Sequence, residues 1–179
     1  MLHDNVILEL LRNRRSIREY KPIKVEQYKI DQLIKVGLLS PTSRNFRPWE
    51  FIVVTNRKLL QELSNAKPHG AAFLKNSPLG IVVLGNQEKC DVWIEDASIA
   101  SINMQLAAEA LGLGSCWIQI RKRNHNDEHN AEQYVQKLLS IPENISVLSI
   151  ISIGYPEKQR PSYTDDVLDY SKVHENTYS

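Results

Sequence analysis

The sequence predicts a mixed α/β domain, and three observations carry that expectation. Four short runs rich in β-branched residues, Phe51 to Thr55, Gly80 to Gly85, Ser115 to Ile120 and Ile145 to Ile153, read as buried strands. Segments with apolar residues at helical spacing alternate with them. The length, 179 residues, is that of one domain and allows about two-thirds of the unfolded surface to be buried. By pattern alone, strands alternating with helices suggest a parallel, doubly wound sheet.

Taken in order, Val6 to Leu11 places Ile7, Leu10 and Leu11 at helical spacing, so an amphipathic helix is expected to end near Arg14. Val25 to Leu39 repeats the pattern with Ile30, Leu33, Ile34 and Leu38. It stops at Ser40-Pro41, because proline disfavours helical geometry in the residue before it. Arg57 to Ala66 is expected as a short helix with Leu59, Leu60 and Leu63 inward. The longest helical pattern, Asp91 to Leu111, gathers Ala97, Ala100, Ser101, Met104, Ala108 and Leu111 on one face, small enough for another helix to approach closely. Asn130 with Gln133 makes a capping box for a helix through Leu139. From Glu157 to Ser179 the chain is polar, with tyrosines and no sustained period, and is expected to form an extended arm.

Composition narrows the function. With 42% hydrophobic and 24% charged residues the chain is an ordinary globular one, and its formal net charge of +1 argues against a dedicated nucleic-acid binder. No apolar run reaches membrane-spanning length and no signal-peptide pattern opens the chain, so a soluble cytoplasmic protein without a membrane partner is expected. Cys90 and Cys116 make no disulfide framework and read as small, semi-buried thiols.

Chemistry concentrates first in Arg14-Arg15-Ser16-Ile17-Arg18. In an extended backbone Arg14, Ser16 and Arg18 share a face; in a helical one Arg14 and Arg18 meet at i and i+4. Either way two guanidinium forks and a hydroxyl converge, which outlines a dianion site. A basic surface turn or a helix end neutralising its own dipole would look the same from five residues. A second stretch, Pro41-Thr42-Ser43-Arg44-Asn45-Phe46-Arg47-Pro48-Trp49, runs directly into the first expected strand. Gly112-Leu113-Gly114-Ser115-Cys116-Trp117 follows the longest helix, and Gly154-Tyr155-Pro156 follows the last strand.

These four stretches, in this order, resemble the FMN-dependent nitroreductase family, whose members carry an R-R-S-x-R motif and a P-[ST]-x-x-N-x-[QE]-P-W loop. The resemblance runs from about residue 10 to about residue 160. It implies an α+β nitroreductase-like fold, with a mixed, largely antiparallel sheet flanked by helices, in place of the parallel sheet that the pattern suggests. It also implies an intertwined homodimer. Residues 1–160 would form the FMN-binding domain and 161–179 an extended C-terminal arm embracing the partner, with the small-residue face of the 91–111 helix buried against that partner.

Flavin chemistry asks little of the protein in acids and bases, because the ring accepts and delivers the hydride. No catalytic side chain is therefore expected. By motif match, Arg14, Ser16 and Arg18 would hold the FMN phosphate and ribityl chain, with Arg15 packed alongside. Pro41, Thr42, Ser43 and Asn45 would reach the same flavin from the other subunit, the Asn45 amide offering both donor and acceptor. Trp117, Ile118 and Gln119 would lie along the ring with backbone N–H groups toward N5, and Lys158 and Arg160 would close the phosphate site. A cation near N1 and O2 is expected, with no residue assigned. Arg47 departs from the family pattern, and 69–73 lacks the Asn and Lys of longer members.

The implied activity is oxidation of NADH or NADPH, with electrons passed in ping-pong fashion to a small electron-poor acceptor such as a nitroaromatic or a quinone. Reductive dehalogenation, flavin fragmentation and an FMN store without turnover are alternatives on the same fold. A basic module binding nucleic acid through Arg12, Arg14, Arg15 and Arg18 is the alternative from another class. His125 and His129, at i and i+4, read as part of a solvated loop, not as metal ligands. Trp49 reads as a core anchor, and Arg121-Lys122-Arg123 as a solvated face.

Overall fold

The structure is a computed structural model describing residues 5–178. The first four residues of the expected domain and Ser179 of the expected arm lie outside the described residues. In order come α1 (Val6–Asn13), α2 (Gln27–Leu39), β1 (Trp49–Val54), α3 (Arg57–Leu63), β2 (Leu79–Asn86), α4 (Trp93–Ala110), β3 (Gly114–Gln119), α5 (Ala131–Leu139) and β4 (Ile145–Gly154). Asn130 caps α5 with the capping box read from the sequence. The Arg57 helix is shorter than expected, and α3 ends at Leu63.

The four strands form one sheet in the order β1-β2-β4-β3, and every neighbouring pair is antiparallel. This corrects the parallel sheet suggested by pattern, for a reason particular to one crossover. Both β2 and β3 are antiparallel to β4, so they run parallel to each other and α4 joins them as in a βαβ unit. The last strand then inserts between them. Sequence alternation shows the crossover but not the strand that later fills the gap.

Helices α2 and α4 cover one face of the sheet, packing Leu33, Ala97, Ala100, Met104 and Ala108 against Ile81, Val83 and Ile151. On the other face α3 and α5 pack Leu60, Leu63 and Val135 against Val82, Ile118 and Ile150. The expectation that the small-residue face of α4 meets a partner is therefore corrected. Ala97, Ala100, Ser101, Met104 and Ala108 are buried within their own chain. Their small size serves the packing of α2 on α4, where a Cβ on Gly37 would meet the Met104 sulfur at 3.1 Å. The exposed apolar residues lie elsewhere: Ile99 and Ile102 on α4, Val6, Ile7, Leu8 and Leu11 on α1, and Leu38 and Leu39 on α2.

The arm is anchored at its start. Its first residues return to their own α1, with the Tyr163 N–H donating to the Arg12 carbonyl at 2.9 Å, the Ser162 hydroxyl donating to Asn13 Oδ1 at 2.6 Å, and an Arg12–Asp165 ion pair. The end of α1 leaves carbonyls unpaired, and the arm supplies the donor. Beyond this anchor Val167, Leu168, Tyr170 and Val173 are exposed.

Candidate functional site

The 14–18 segment is extended and lies against the free edge of β3, with Ser16 in a parallel bridge to Ser115 and the Ile17 N–H donating to the Ser115 carbonyl at 3.0 Å. The close approach depends on Gly114, where a Cβ would stand 2.7 Å from the Ile17 side chain. Of the two geometries open in the sequence, the structure takes the extended one, so successive side chains face opposite ways. Arg15 turns to the arm, donating to the Pro161 carbonyl at 2.6 Å with its guanidinium 4.0 Å from the Tyr163 ring centroid. It ties the segment to the arm and shares a 290 Å³ cleft with Arg160.

Arg14, Ser16 and Arg18 alternate with Arg15, and all three act on the Cys116 thiol. Burial pushes the Cys116 thiol up, while Arg18, a hydrogen bond with Ser16, Arg14 and Lys67 pull it back. Burial likewise raises the Glu109 carboxyl at the end of α4, opposed by Arg14. Lys67, which sequence reading missed, joins this cluster: burial lowers its ammonium, the charge of Arg123 lowers it further, and Cys116 opposes both. A lone lysine two residues before the 69–73 region carries no local signal; only the fold brings it to Cys116. Lys158 and Arg160 share a 420 Å³ cleft with Ile17 and Arg18. Among the described residues, no ion pair takes up Arg14, Arg18, Lys67, Lys158 or Arg160. The hydroxyl of Ser115, the strand neighbour of Cys116, is buried and unbonded. Unspent cations and a hydroxyl from Ser16 fit the phosphate end of FMN.

Along β3, the Trp117 indole donates to Gln119 Oε1 at 2.8 Å, and the Gln119 amide donates to the Arg121 carbonyl at 2.9 Å. Both side chains lie on one face of the strand. Ile118 points the other way into the core, so only its backbone is available to a ligand.

The 41–48 loop is built differently. Arg44, Asn45 and Arg47 all have positive φ, at 51°, 57° and 50°, a conformation costly for residues with a Cβ. Several bonds hold it there. The Ser43 N–H donates to Asp96 Oδ1 at 2.8 Å, the Arg47 N–H to the Thr42 hydroxyl at 3.1 Å, and Arg44 pairs with Asp91. Arg47 Nε donates to Asn45 Oδ1 at 3.0 Å, which occupies the amide oxygen and leaves the NH2 group facing outward. Trp49 is buried and stacked on Phe51 with centroids 5.7 Å apart, a core anchor as expected. His125 stacks on Tyr134 at 4.2 Å, so it is more firmly packed than the solvated loop read from the sequence.

Within one chain these two groups are far apart. Glu109, which faces Arg14, and Asp96, which holds Ser43, are 13 residues apart on one straight helix, about 20 Å along its axis.

The model of the nitroreductase family matches residues 11–72 and 62–155. The chain belongs to the nitroreductase family. A solved FMN-dependent nitroreductase from Clostridium difficile R20291 is 49% identical, with a TM-score of 0.94 covering 96% of this chain and 99% of that one. A protein of Archaeoglobus fulgidus named for NADH dehydrogenase and NAD(P)H nitroreductase activity is 35% identical over 172 residues, 93% of this chain and 95% of its own. An NADPH-dependent FMN reductase of Bacillus subtilis is 26% identical over 198 residues, 98% of this chain and 75% of its own. The solved nitroreductase shares this antiparallel sheet with its flanking helices.

Proposed function

We propose that the protein is an FMN-dependent NAD(P)H oxidoreductase of the nitroreductase kind, acting on small electron-poor acceptors such as nitroaromatics and quinones. The observation that carries this reading is the convergence of Arg14, Ser16 and Arg18 on β3 without any ion pair among the described residues. FMN would supply acceptance of hydride from NADH or NADPH and its delivery to the acceptor. The chain's own work is to bind and orient. Arg14, Ser16 and Arg18 take the phosphate and ribityl chain; Lys158 and Arg160 close the cleft beside them; the β3 backbone from Trp117 to Gln119 lines the ring. Lys67, a further cation of this cluster, adds positive charge that would favour reduced flavin.

We place Pro41, Thr42, Ser43 and Asn45 against the flavin of a partner subunit, because about 20 Å of helix separates them from their own phosphate cluster. The exposed apolar residues of α1, α2 and α4 are the surface a homodimer would bury, and the 166–178 part of the arm, with its exposed Leu168 and Tyr170, would lie on the partner. Among the described residues no helix is long and apolar enough to cross a membrane. The proposal places the protein in the cytoplasm, where nicotinamide reductants are at hand and the free thiols Cys90 and Cys116 stay reduced.

The test is the visible spectrum of the purified protein before and after NADH or NADPH. A yellow protein that bleaches anaerobically and recolours with a quinone supports the reading. A colourless protein that takes up no FMN contradicts it, and a yellow one inert to both nicotinamides contradicts turnover.

A further inference from the structure

The carboxylate of Asp96 is 3% exposed, sits in the first turn of α4, and has no cation paired with it among the described residues. Burying a carboxylate is costly unless its oxygens are bonded. One oxygen accepts the Ser43 N–H at 2.8 Å and the other lies 3.6 Å from the Cys90 sulfur, a weak donor, with the positive end of the α4 dipole beneath. The one strong bond thus leaves the helix for the loop. The loop it holds carries three left-handed residues, Arg44, Asn45 and Arg47, none a glycine. Left to itself such a backbone relaxes. Arg44–Asp91 and Lys89 to the Arg47 carbonyl are further ties, but they are exposed, and exposed pairs hold a loop only weakly.

We propose that Asp96 is a positioning residue: its buried carboxylate clamps the Ser43 N–H and so keeps the 42–47 loop in the strained shape that points the Asn45 NH2 group outward to the flavin. This rests on the reading above that the loop reaches a flavin. Asp96 touches no substrate, and its effect on FMN passes entirely through Asn45 and its neighbours. A charge-assisted bond of this kind, once lost, corresponds to roughly ten- to hundredfold in affinity.

The experiment is a double-mutant cycle on FMN dissociation constants, with circular dichroism of the apo proteins as the check on folding. Asp96→Ala is expected to weaken FMN binding about tenfold or more. Asp96→Asn keeps an acceptor oxygen at the same place and is expected to restore binding to within about threefold of wild type. Asn45→Ala weakens binding on its own, and Asp96→Ala added to it is expected to cost little further, because the loop no longer has an amide to position. Fully additive losses, or Asp96→Asn as damaging as Asp96→Ala, overturn the proposal while leaving the loop reading intact. An Asn45→Ala protein with wild-type affinity overturns the loop reading itself, and the proposal with it. If Asp96→Ala does not fold, amide exchange in the wild-type apo protein decides: a protected Ser43 N–H supports the clamp, and exchange as fast as that of an open loop overturns it.

Discussion

The two ends of α4 are built by opposite means. At its C-terminal end the backbone is ordinary and the charges are left unspent: Arg14 and Arg18 gather around a buried thiol and take part in no ion pair among the described residues. At its N-terminal end the charges are spent and the backbone is strained, with Arg44 paired to Asp91, Arg47 bonded to Asn45, and three residues at positive φ. A phosphate is recognised by charge, which side chains can supply from relaxed backbone. A ring edge is recognised by one amide in one orientation, which takes a shaped loop. On the proposed reading, a helix about 27 Å long spaces two unlike half-sites, each completed by the partner subunit.

The sharpest way to break this contrast is at the charged end. Arg14→Ala and Arg18→Ala should each weaken FMN binding roughly ten- to hundredfold, by isothermal titration, with the apo fold retained. Arg15→Ala should change affinity less than about threefold and instead loosen the arm, seen as faster proteolysis after residue 160. Equal losses for all three arginines would mean that the alternation along 14–18 has no functional meaning.

The spacer between the ends comes next. Ala100→Trp overpacks a position fully buried within its own chain, so it should destabilise the fold by about 1–3 kcal/mol and lower Tm in a thermal melt. Ile102→Glu, on the exposed apolar face, should shift dimer toward monomer in sedimentation with a smaller change in Tm. The reverse pattern would put the interface on the small-residue face after all.

A pH measurement reads the same cluster. Folding raises the Cys116 thiol, so the neutral form is favoured in the folded state; the stability this contributes is full below the ordinary thiol range and lost as pH climbs through the raised value. Alkylation of Cys116 in the apo protein should therefore need higher pH than that of an exposed thiol. Arg18→Ala removes a charge that pulls the thiol down, so it should slow alkylation further at a given pH; faster reaction would place Arg18 away from the sulfur. The smallest effect belongs to Lys67→Gln. It should lower the midpoint potential of bound flavin by ~20 mV, the equivalent of about 1 kcal/mol, in a dye-coupled titration.

Much of the fold was legible because helix and strand leave different periods. The runs at Phe51, Gly80, Ser115 and Ile145 became the four strands, and Asn130 with Gln133 became the cap it resembled. Strand direction was not legible, since nothing local tells β2 and β3 that β4 will part them. The α4 face was misassigned because alanines suit a close intrachain neighbour as well as a partner. The two-residue spacing of Arg14, Ser16 and Arg18 was readable, whereas the bond from Arg15 to the Pro161 carbonyl, 146 residues later, was not. Lys67 and Asp96 stayed hidden because their contacts exist only once the chain is folded.

The central claim, that each site takes its phosphate cluster from one subunit and its loop from the other, is tested most directly by a mixed dimer. A chain carrying Arg14→Ala and Arg18→Ala is co-expressed with a differently tagged Asn45→Ala chain, and the heterodimer is isolated through both tags. One of its sites then collects all three lesions, while the other keeps Arg14 and Arg18 from one chain and Asn45 from its partner. Bound FMN and NADH oxidation at about half the wild-type level per dimer is the expected result, as independent sites add. Activity no higher than the mean of the two parent variants would contradict it and place the whole flavin site within one chain.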